Sequence, residues 1–270
     1  MTALACAAGF VLVAGSAAAA DASPYDGTQR AAVRLIAGAA RGDGAVTVHR
    51  AGVEIRLAPG WKTYWRYPGD SGIPPRFDFS QSTNVKSVTV RYPAPQRLAD
   101  DGGISIGYKH DVVFPLDVVA QDAGKPVTLS LAIEYAVCEK LCVPADGKAA
   151  LTLTGKAGEN DAKLARSEAL VPRPATIGAG AFAIRTVQRE GSRVTVEIAA
   201  PAGTAVELFA EGPTAEWALP VPAPAPGGRR FTFELDGLPP NTRPDGMTLT
   251  LTAVAGEQAI EVPYRLDSSN

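Results

Sequence analysis

Apolar and polar residues alternate in short runs along most of the chain, with the period of half-buried strands and not that of a helix. Residues 46–57 read as a strand pair or one bent strand: Val46 and Val48 alternate first, and Val53, Ile55 and Leu57 follow Gly52. Segments 87–92, 112–119 and 127–137 are further strands, each bounded by Pro, Gly or Asp, and 148–154 completes the first set. The pattern then changes. Asn160-Asp161-Ala162-Lys163-Leu164-Ala165-Arg166-Ser167-Glu168-Ala169-Leu170 reads as a short capped helix, stopped by Pro172 and Pro174. From Phe182 the two-residue period resumes in 193–198, 205–209, 230–235 and 247–254, with 220–226 as an irregular loop. The expected fold class is all-β: a first sandwich over 21–157, a linker with a short helix over 158–177, and a second sandwich over 178–270 that contains no cysteine.

Composition narrows the function classes. The 27 Gly and 22 Pro suit turn-rich sandwiches. A formal net charge of −2, with no Lys/Arg cluster interleaved with aromatics, argues against a nucleic-acid partner. Residues 10–20 form an apolar, small-residue run ending Ala18-Ala19-Ala20 before Asp21, which resembles the core and cleavage site of a secretory signal peptide. Residues 1–20 are therefore expected to be removed on export, Cys6 with them, although no Lys or Arg precedes the run. Ala3-Leu4-Ala5-Cys6 makes a poor lipid-attachment site, so no lipid anchor is expected. No later run approaches the roughly 18–20 apolar residues of a membrane helix.

Cys138 and Cys142 are the remaining cysteines. As a staple the pair is poorly placed: closing a five-residue loop stabilises by about 2 kcal/mol, against roughly 3 kcal/mol for fifteen residues. A chain of this length also buries a core without covalent help. Two adjacent cysteines that open and close are what thiol-disulfide exchange requires, one attacking a partner's disulfide and the other resolving the mixed disulfide. Two readings thus stand side by side, an exchange pair and a structural loop clip. Parity bears on the choice. In 127–137 the large apolar residues occupy odd positions, so Cys138 falls on the opposite face with Thr128, Ser130, Ala132, Glu134 and Ala136. Parity is not carried past Cys138, because Pro144 and Asp146-Gly147 signal a turn. Lys140 favours a thiolate and Glu139 opposes it.

Other chemistries fit less well. Ser105, His110 and Asp111 invite a triad, but neighbours on a strand face opposite ways, so Asp111 does not orient His110. Soft thiolates suit Cu(I), yet His49, His110 and Met247 form no ligand cluster around the cysteines. No cofactor and no metal site is expected, and weak copper binding would be an accessory property.

Several motifs together carry a resemblance. Gly60-Trp61-Lys62-Thr63-Tyr64-Trp65-Arg66, Pro68-Gly69-Asp70-Ser71-Gly72-Ile73-Pro74-Pro75, Gly107-Tyr108 ahead of Phe114-Pro115-Leu116, and Cys138-Glu139-Lys140-Leu141-Cys142-Val143-Pro144 resemble the periplasmic amino-terminal domain of the DsbD and ScsB disulfide reductases, ScsB more closely. The resemblance covers roughly residues 45–154. It implies two immunoglobulin-like sandwiches and Cys138–Cys142 as the redox pair, with Cys142 making the intermolecular mixed disulfide and Cys138 resolving it. It implies a cap loop over 100–108, with Asp101, Ile104, Ile106 and Tyr108, and a pocket aromatic at Tyr64. Where DsbD carries an aromatic over the disulfide, this loop has Ile104 or Ile106, with Tyr108 at its end. Trp61 reads as a core or edge aromatic, and Asp70-Ser71-Gly72 as a turn. The implied partners are a membrane-embedded thiol electron donor on a separate chain, since no hydrophobic segments or Cys-x-x-Cys domain follow, and a thioredoxin-fold periplasmic protein. Oligomeric state is not legible.

Overall fold

The structure is a computed structural model that describes residues 20–42, 47–69, 72–100 and 103–267. The expected signal peptide, Asp101 and the Asp70-Ser71 part of the expected turn lie outside the described residues. Among the described residues the chain is all-β apart from one helix. In order, the first strands are β1 (Asp26–Gly27), β2 (Ala31–Ala37), β3 (Val48–Leu57), β4 (Lys62–Gly69), β5 (Arg76–Asp78), β6 (Val85–Val90), β7 (Gln96–Asp100), β8 (Gly103–Tyr108), β9 (Val112–Ala120), β10 (Val127–Cys138) and β11 (Cys142–Leu153). Helix α1 (Asp161–Ala169) follows. Then come β12 (Arg173–Pro174), β13 (Ala183–Glu190), β14 (Arg193–Ala199), β15 (Val206–Glu211), β16 (Ala223–Pro224), β17 (Arg230–Glu234), β18 (Thr248–Ala255) and β19 (Gln258–Arg265).

Two sheets pack face to face before α1. One has the order β1-β2-β3-β9-β6; the other runs β11-β10-β4-β8-β7, with β5 also paired to β10. Val33, Leu35, Val53, Ile55, Phe114 and Leu116 of the first sheet meet Trp65, Ile106, Leu129, Leu131, Ile133 and Val137 of the second in one core. The sheets after α1, β12-β19-β18-β15 and β13-β14-β17-β16, enclose another core around Leu208, Trp217, Phe231 and Leu251.

Some elements depart from the alternation pattern, each for a local reason. Strand β2, Ala-Ala-Val-Arg-Leu-Ile-Ala, is apolar on both faces because six of its seven residues are buried, and such a strand shows no two-residue period. Asp146-Gly147 is not a turn: β11 stays paired with β10 through Glu134↔Asp146 and Ile133↔Gly147. Gly147 is there because the strand crosses β2 closely; a Cβ on it would collide with Val33 Cγ2. Pro144 is tolerated because β11 is an edge strand of its sheet. Within the loop expected over 220–226, Ala223–Pro224 pairs with β17.

The helix is docked, not free. Leu164 is buried between Ile36 and Val113, in space left by two glycines: a Cβ on Gly38 or Gly52 would lie 2.8 or 2.9 Å from its methyls. Around it, Arg50 holds Glu168 through both Nε and Nη2 (2.9 Å each) and Asp161 through Nη1 (2.9 Å). Glu54 on β3 accepts from Lys163 Nζ of the helix and Arg34 Nε of β2, each at 2.6 Å. Among the described residues no helix is long and apolar enough to cross a membrane.

Glu54 is the buried centre of that last group. Burial raises its carboxyl pKa, but the hydrogen bonds from Lys163 and Arg34 outweigh burial and hold it below the usual range. A carboxylate with a depressed native pKa contributes in full above the ordinary value and loses that contribution as pH falls through the depressed one. Glu54→Gln is therefore expected to destabilise the fold by about 1–3 kcal/mol at neutral pH, a range that allows for the partial exposure of its partners. The deficit should shrink from about pH 5 downward. Urea denaturation at several pH values measures this; a deficit equal at neutral and acid pH contradicts it.

Candidate disulfide site

Strands β10 and β11 pair without a break from Val127↔Leu153 to Cys138↔Cys142, leaving Glu139, Lys140 and Leu141 as the hairpin tip. The last pair is a disulfide, with its Cα atoms 4.1 Å apart. Alternation along β10 sends Val127, Leu129, Leu131, Ile133, Tyr135 and Val137 into the core. Cys138 points the other way, where it packs with Ala136 and Tyr64. Its side of the sheet is nonetheless covered: Cys138 is 5% exposed. Cys142, across the hairpin, is exposed. The two sulfurs of one bond thus differ in access.

The cover comes from β4. It meets the end of β10 at Val137↔Thr63 and Cys138↔Lys62, and Thr63 Oγ1 donates to Ala136 O at 2.9 Å. Alternation then places Trp65 in the core and Lys62 and Tyr64 on the face of Cys138. Tyr64 is 1% exposed, and its Oη lies 3.0 Å from Cys142 Sγ. Gly72, at φ +137°, lies flat against the Tyr64 ring, and a Cβ there would collide with Cδ1. Lys62 is buried and donates from Nζ to Ser105 Oγ at 3.4 Å. Glu139 lies over Gly60, whose Cβ, if present, would be 3.4 Å from Glu139 Oε1. Leu141, next to Cys142, is 74% exposed. Ile73, next to Gly72, is another exposed large apolar residue.

The expected cap residues divide. Segment 100–108 is largely strand, the β7–β8 hairpin, and β8 pairs with β4 through Tyr64↔Gly107 and Thr63↔Tyr108. That register puts Ser105 and Gly107 on the face of Tyr64, and Ile106 and Tyr108 in the core. Gly107 permits the approach, since a Cβ on it would collide with Thr63 O. Tyr108 packs edge-on to Phe114, 5.5 Å between ring centroids, and its Oη donates to Pro93 O at 2.8 Å. Burial holds its phenol well above the ordinary range. Ile104 shares the parity of Ile106 and is half-buried. Ile106 and Tyr108 are therefore core residues and not a lid. The aromatic group at the disulfide is Tyr64, on a neighbouring strand. Trp61 is half-buried at the core's edge, under Arg30 at 5.5 Å.

The rejected alternatives can be placed too. Asp111 Oδ1 accepts from Leu57 N at 2.8 Å, His110 is exposed in the bend between β8 and β9, and Ser105 is engaged with Lys62, so the three are not assembled. Burial lowers the His49 pKa, and its Nδ1 is buried without a protein partner. Among the described residues no three or more His, Cys, Asp or Glu side chains gather to hold a metal ion.

Chemically, a disulfide with one open and one covered sulfur is set up for attack at the open one, with the covered sulfur as leaving group. Residues 35–154 match the family model described as the thiol:disulfide interchange protein DsbD, N-terminal. The crystal structure of the N-terminal periplasmic domain of ScsB from Proteus mirabilis superposes with a TM-score of 0.68 at 20% identity, covering 90% of this chain and 95% of that one. The human Desmocollin-1 ectodomain aligns over 84% of this chain and 45% of its own at 8% identity, with a TM-score of 0.23, too low to carry an argument. No curated protein sequence matches significantly. Residues 35–154 are thus similar to the amino-terminal domain of the thiol:disulfide interchange protein DsbD, and over nearly its whole length the chain has the fold of the ScsB amino-terminal periplasmic domain.

Proposed function

We propose that this chain is a periplasmic electron-transfer protein that exchanges disulfides through Cys138 and Cys142. It passes reducing equivalents between a membrane-embedded thiol donor and a thioredoxin-fold periplasmic protein. The observation that carries this reading is the unequal access of the two sulfurs, Cys142 exposed at the hairpin tip and Cys138 buried behind it. A loop clip needs no such difference.

In the reduced protein, the Cys142 thiolate attacks one sulfur of the acceptor's disulfide; a new S–S bond forms and the acceptor's other sulfur leaves as a thiolate. Cys138 then attacks Cys142 Sγ, re-forming the internal disulfide and releasing the acceptor's second thiolate. Two electrons have moved, and the acceptor carries both. Reloading is the reverse, with a donor thiolate attacking Cys142 and Cys138 leaving. Leu141 and Ile73, exposed beside the site, supply apolar surface for a partner to cover. Tyr64 Oη is within reach to donate to a Cys142 thiolate.

Cys138→Ser removes the resolving sulfur and is expected to accumulate a mixed disulfide through Cys142 with a thioredoxin-fold protein in periplasmic extract, seen on non-reducing gels and identified by mass spectrometry. Only unspecific adducts, or none, would contradict the reading. Tyr64→Phe keeps the ring and removes the donor. A hydrogen bond to an ionised group is worth about 1.5 kcal/mol or more, which corresponds to about a tenfold loss of thiolate. The less stabilised thiolate is about threefold more nucleophilic in return. Cys142 of the reduced variant should thus be alkylated by iodoacetamide about threefold more slowly at neutral pH. An unchanged rate removes Tyr64 from the chemistry.

A further inference from the structure

Tyr64 is the last residue of β4 held in regular register. Its pairing with β8 runs Thr63↔Tyr108, Tyr64↔Gly107 and then jumps to Gly69↔Ser105. The residues that follow Tyr64 are gripped from the sheets beyond α1. Arg66 makes a two-pronged contact with Glu211 on β15, Nε to Oε1 at 2.8 Å and Nη2 to Oε2 at 2.7 Å, and reaches Glu261 on β19 at 2.5 Å. Tyr67 Oη donates to the carbonyls of Trp217 at 2.5 Å and Leu219 at 3.1 Å. Trp65 meets the Phe209 ring with centroids 5.8 Å apart, and Arg66 stacks on Trp65 at 4.4 Å. Gly212 makes room for this grip, since a Cβ on it would collide with the Trp217 side chain. One strand therefore ends in the disulfide site on one side and in the second pair of sheets on the other, with two peptide units between Tyr64 and Arg66.

The Arg66 contact is built to fix position. A guanidinium bound through two parallel N–H···O bonds is held in orientation as well as distance, unlike a point charge. The Glu211 side chain is 13% exposed, so the pair is only weakly screened by solvent.

We propose that Glu211 is a positioning residue for the disulfide: through Arg66 it holds β4 in the place that keeps Tyr64 Oη at Cys142 Sγ. The proposal rests on the exchange reading above and gives the sheets beyond α1 a part in that reading.

The test is a double-mutant cycle on the full chain, reduced and alkylated with iodoacetamide at neutral pH, with Cys142 modification followed by mass spectrometry. Glu211→Ala is expected to slow Cys142 alkylation about threefold, the factor expected for Tyr64→Phe. In the Tyr64→Phe background Glu211→Ala should add nothing, because the contact it positions is already gone. Glu211→Gln keeps an acceptor for one Arg66 hydrogen bond and should recover at least half of the loss. This variant also carries the test if Glu211→Ala does not fold. A wild-type rate in Glu211→Ala, or independent slowing that multiplies with Tyr64→Phe, overturns the proposal. The two readings fail separately. If Cys138→Ser still captures its partner while the coupling is absent, Glu211 loses its role and exchange stands. If the coupling is present and capture fails, the exchange reading falls.

Discussion

Strand β4 meets β10 over only two residue pairs, Thr63 with Val137 and Lys62 with Cys138, and that short pairing brings Tyr64 to the disulfide. Its position follows from chain geometry. Strand β10 is long enough to project its last residue beyond β5, which pairs at Ala132–Glu134, so the vacant edge beside Val137 and Cys138 is taken by β4. The two-residue alternation of each strand then decides which side chains share a face: Cys138, Ala136, Lys62 and Tyr64 on one side, Val137, Thr63 and Trp65 on the other. Had β4 been shifted by one residue, Trp65 would lie at the sulfurs and Tyr64 in the core.

The unequal access of the sulfurs comes from the same arrangement. Cys138 is within the strand ladder and under the Tyr64 ring, whereas Cys142 begins an edge strand after a three-residue tip. A disulfide closing so short a loop restricts the unfolded chain little, so its stabilising contribution is small beside that of the surrounding core. The core needs no help from it: Trp65, Phe114, Leu116 and the odd positions of β10 fill the space between the sheets. The sulfurs can therefore open without threatening the fold, which is what a pair that cycles between thiol and disulfide needs.

Much of this was legible in the chain itself, because the governing rule is local. Odd-even parity over residues 127–137 gave the buried face of β10 and the outward placement of Cys138, and an Asn-Asp start with Pro stops gave α1 to within a residue at each end. What parity could not supply was anything set by another strand. Strand β2 hid because burial on both faces erases alternation, and Gly147 imitated a turn because its missing side chain serves a close crossing with Val33. Ile104 or Ile106 was expected over the disulfide, with Tyr108 at the cap loop's end; Ile106 and Tyr108 are in the core, since which face of β8 looks toward the sulfurs depends on its register with β4. Tyr64 came from the motif resemblance and not from pattern. Arg66, Glu211 and Glu261 went unnoticed; the only signal was a lone arginine between aromatics in Tyr64-Trp65-Arg66-Tyr67, whose partners are more than a hundred residues away.

The most direct test is the reduction potential of the Cys138–Cys142 pair, measured by equilibrating the full chain against a graded series of glutathione or dithiothreitol buffers. Structural disulfides of exported proteins lie below about −300 mV, and exchange-active ones lie higher. The account predicts a single two-electron transition above about −300 mV, with the fold retained in both states. A potential at or below that value, or unfolding on reduction, would show that the bond is a clip and contradict it.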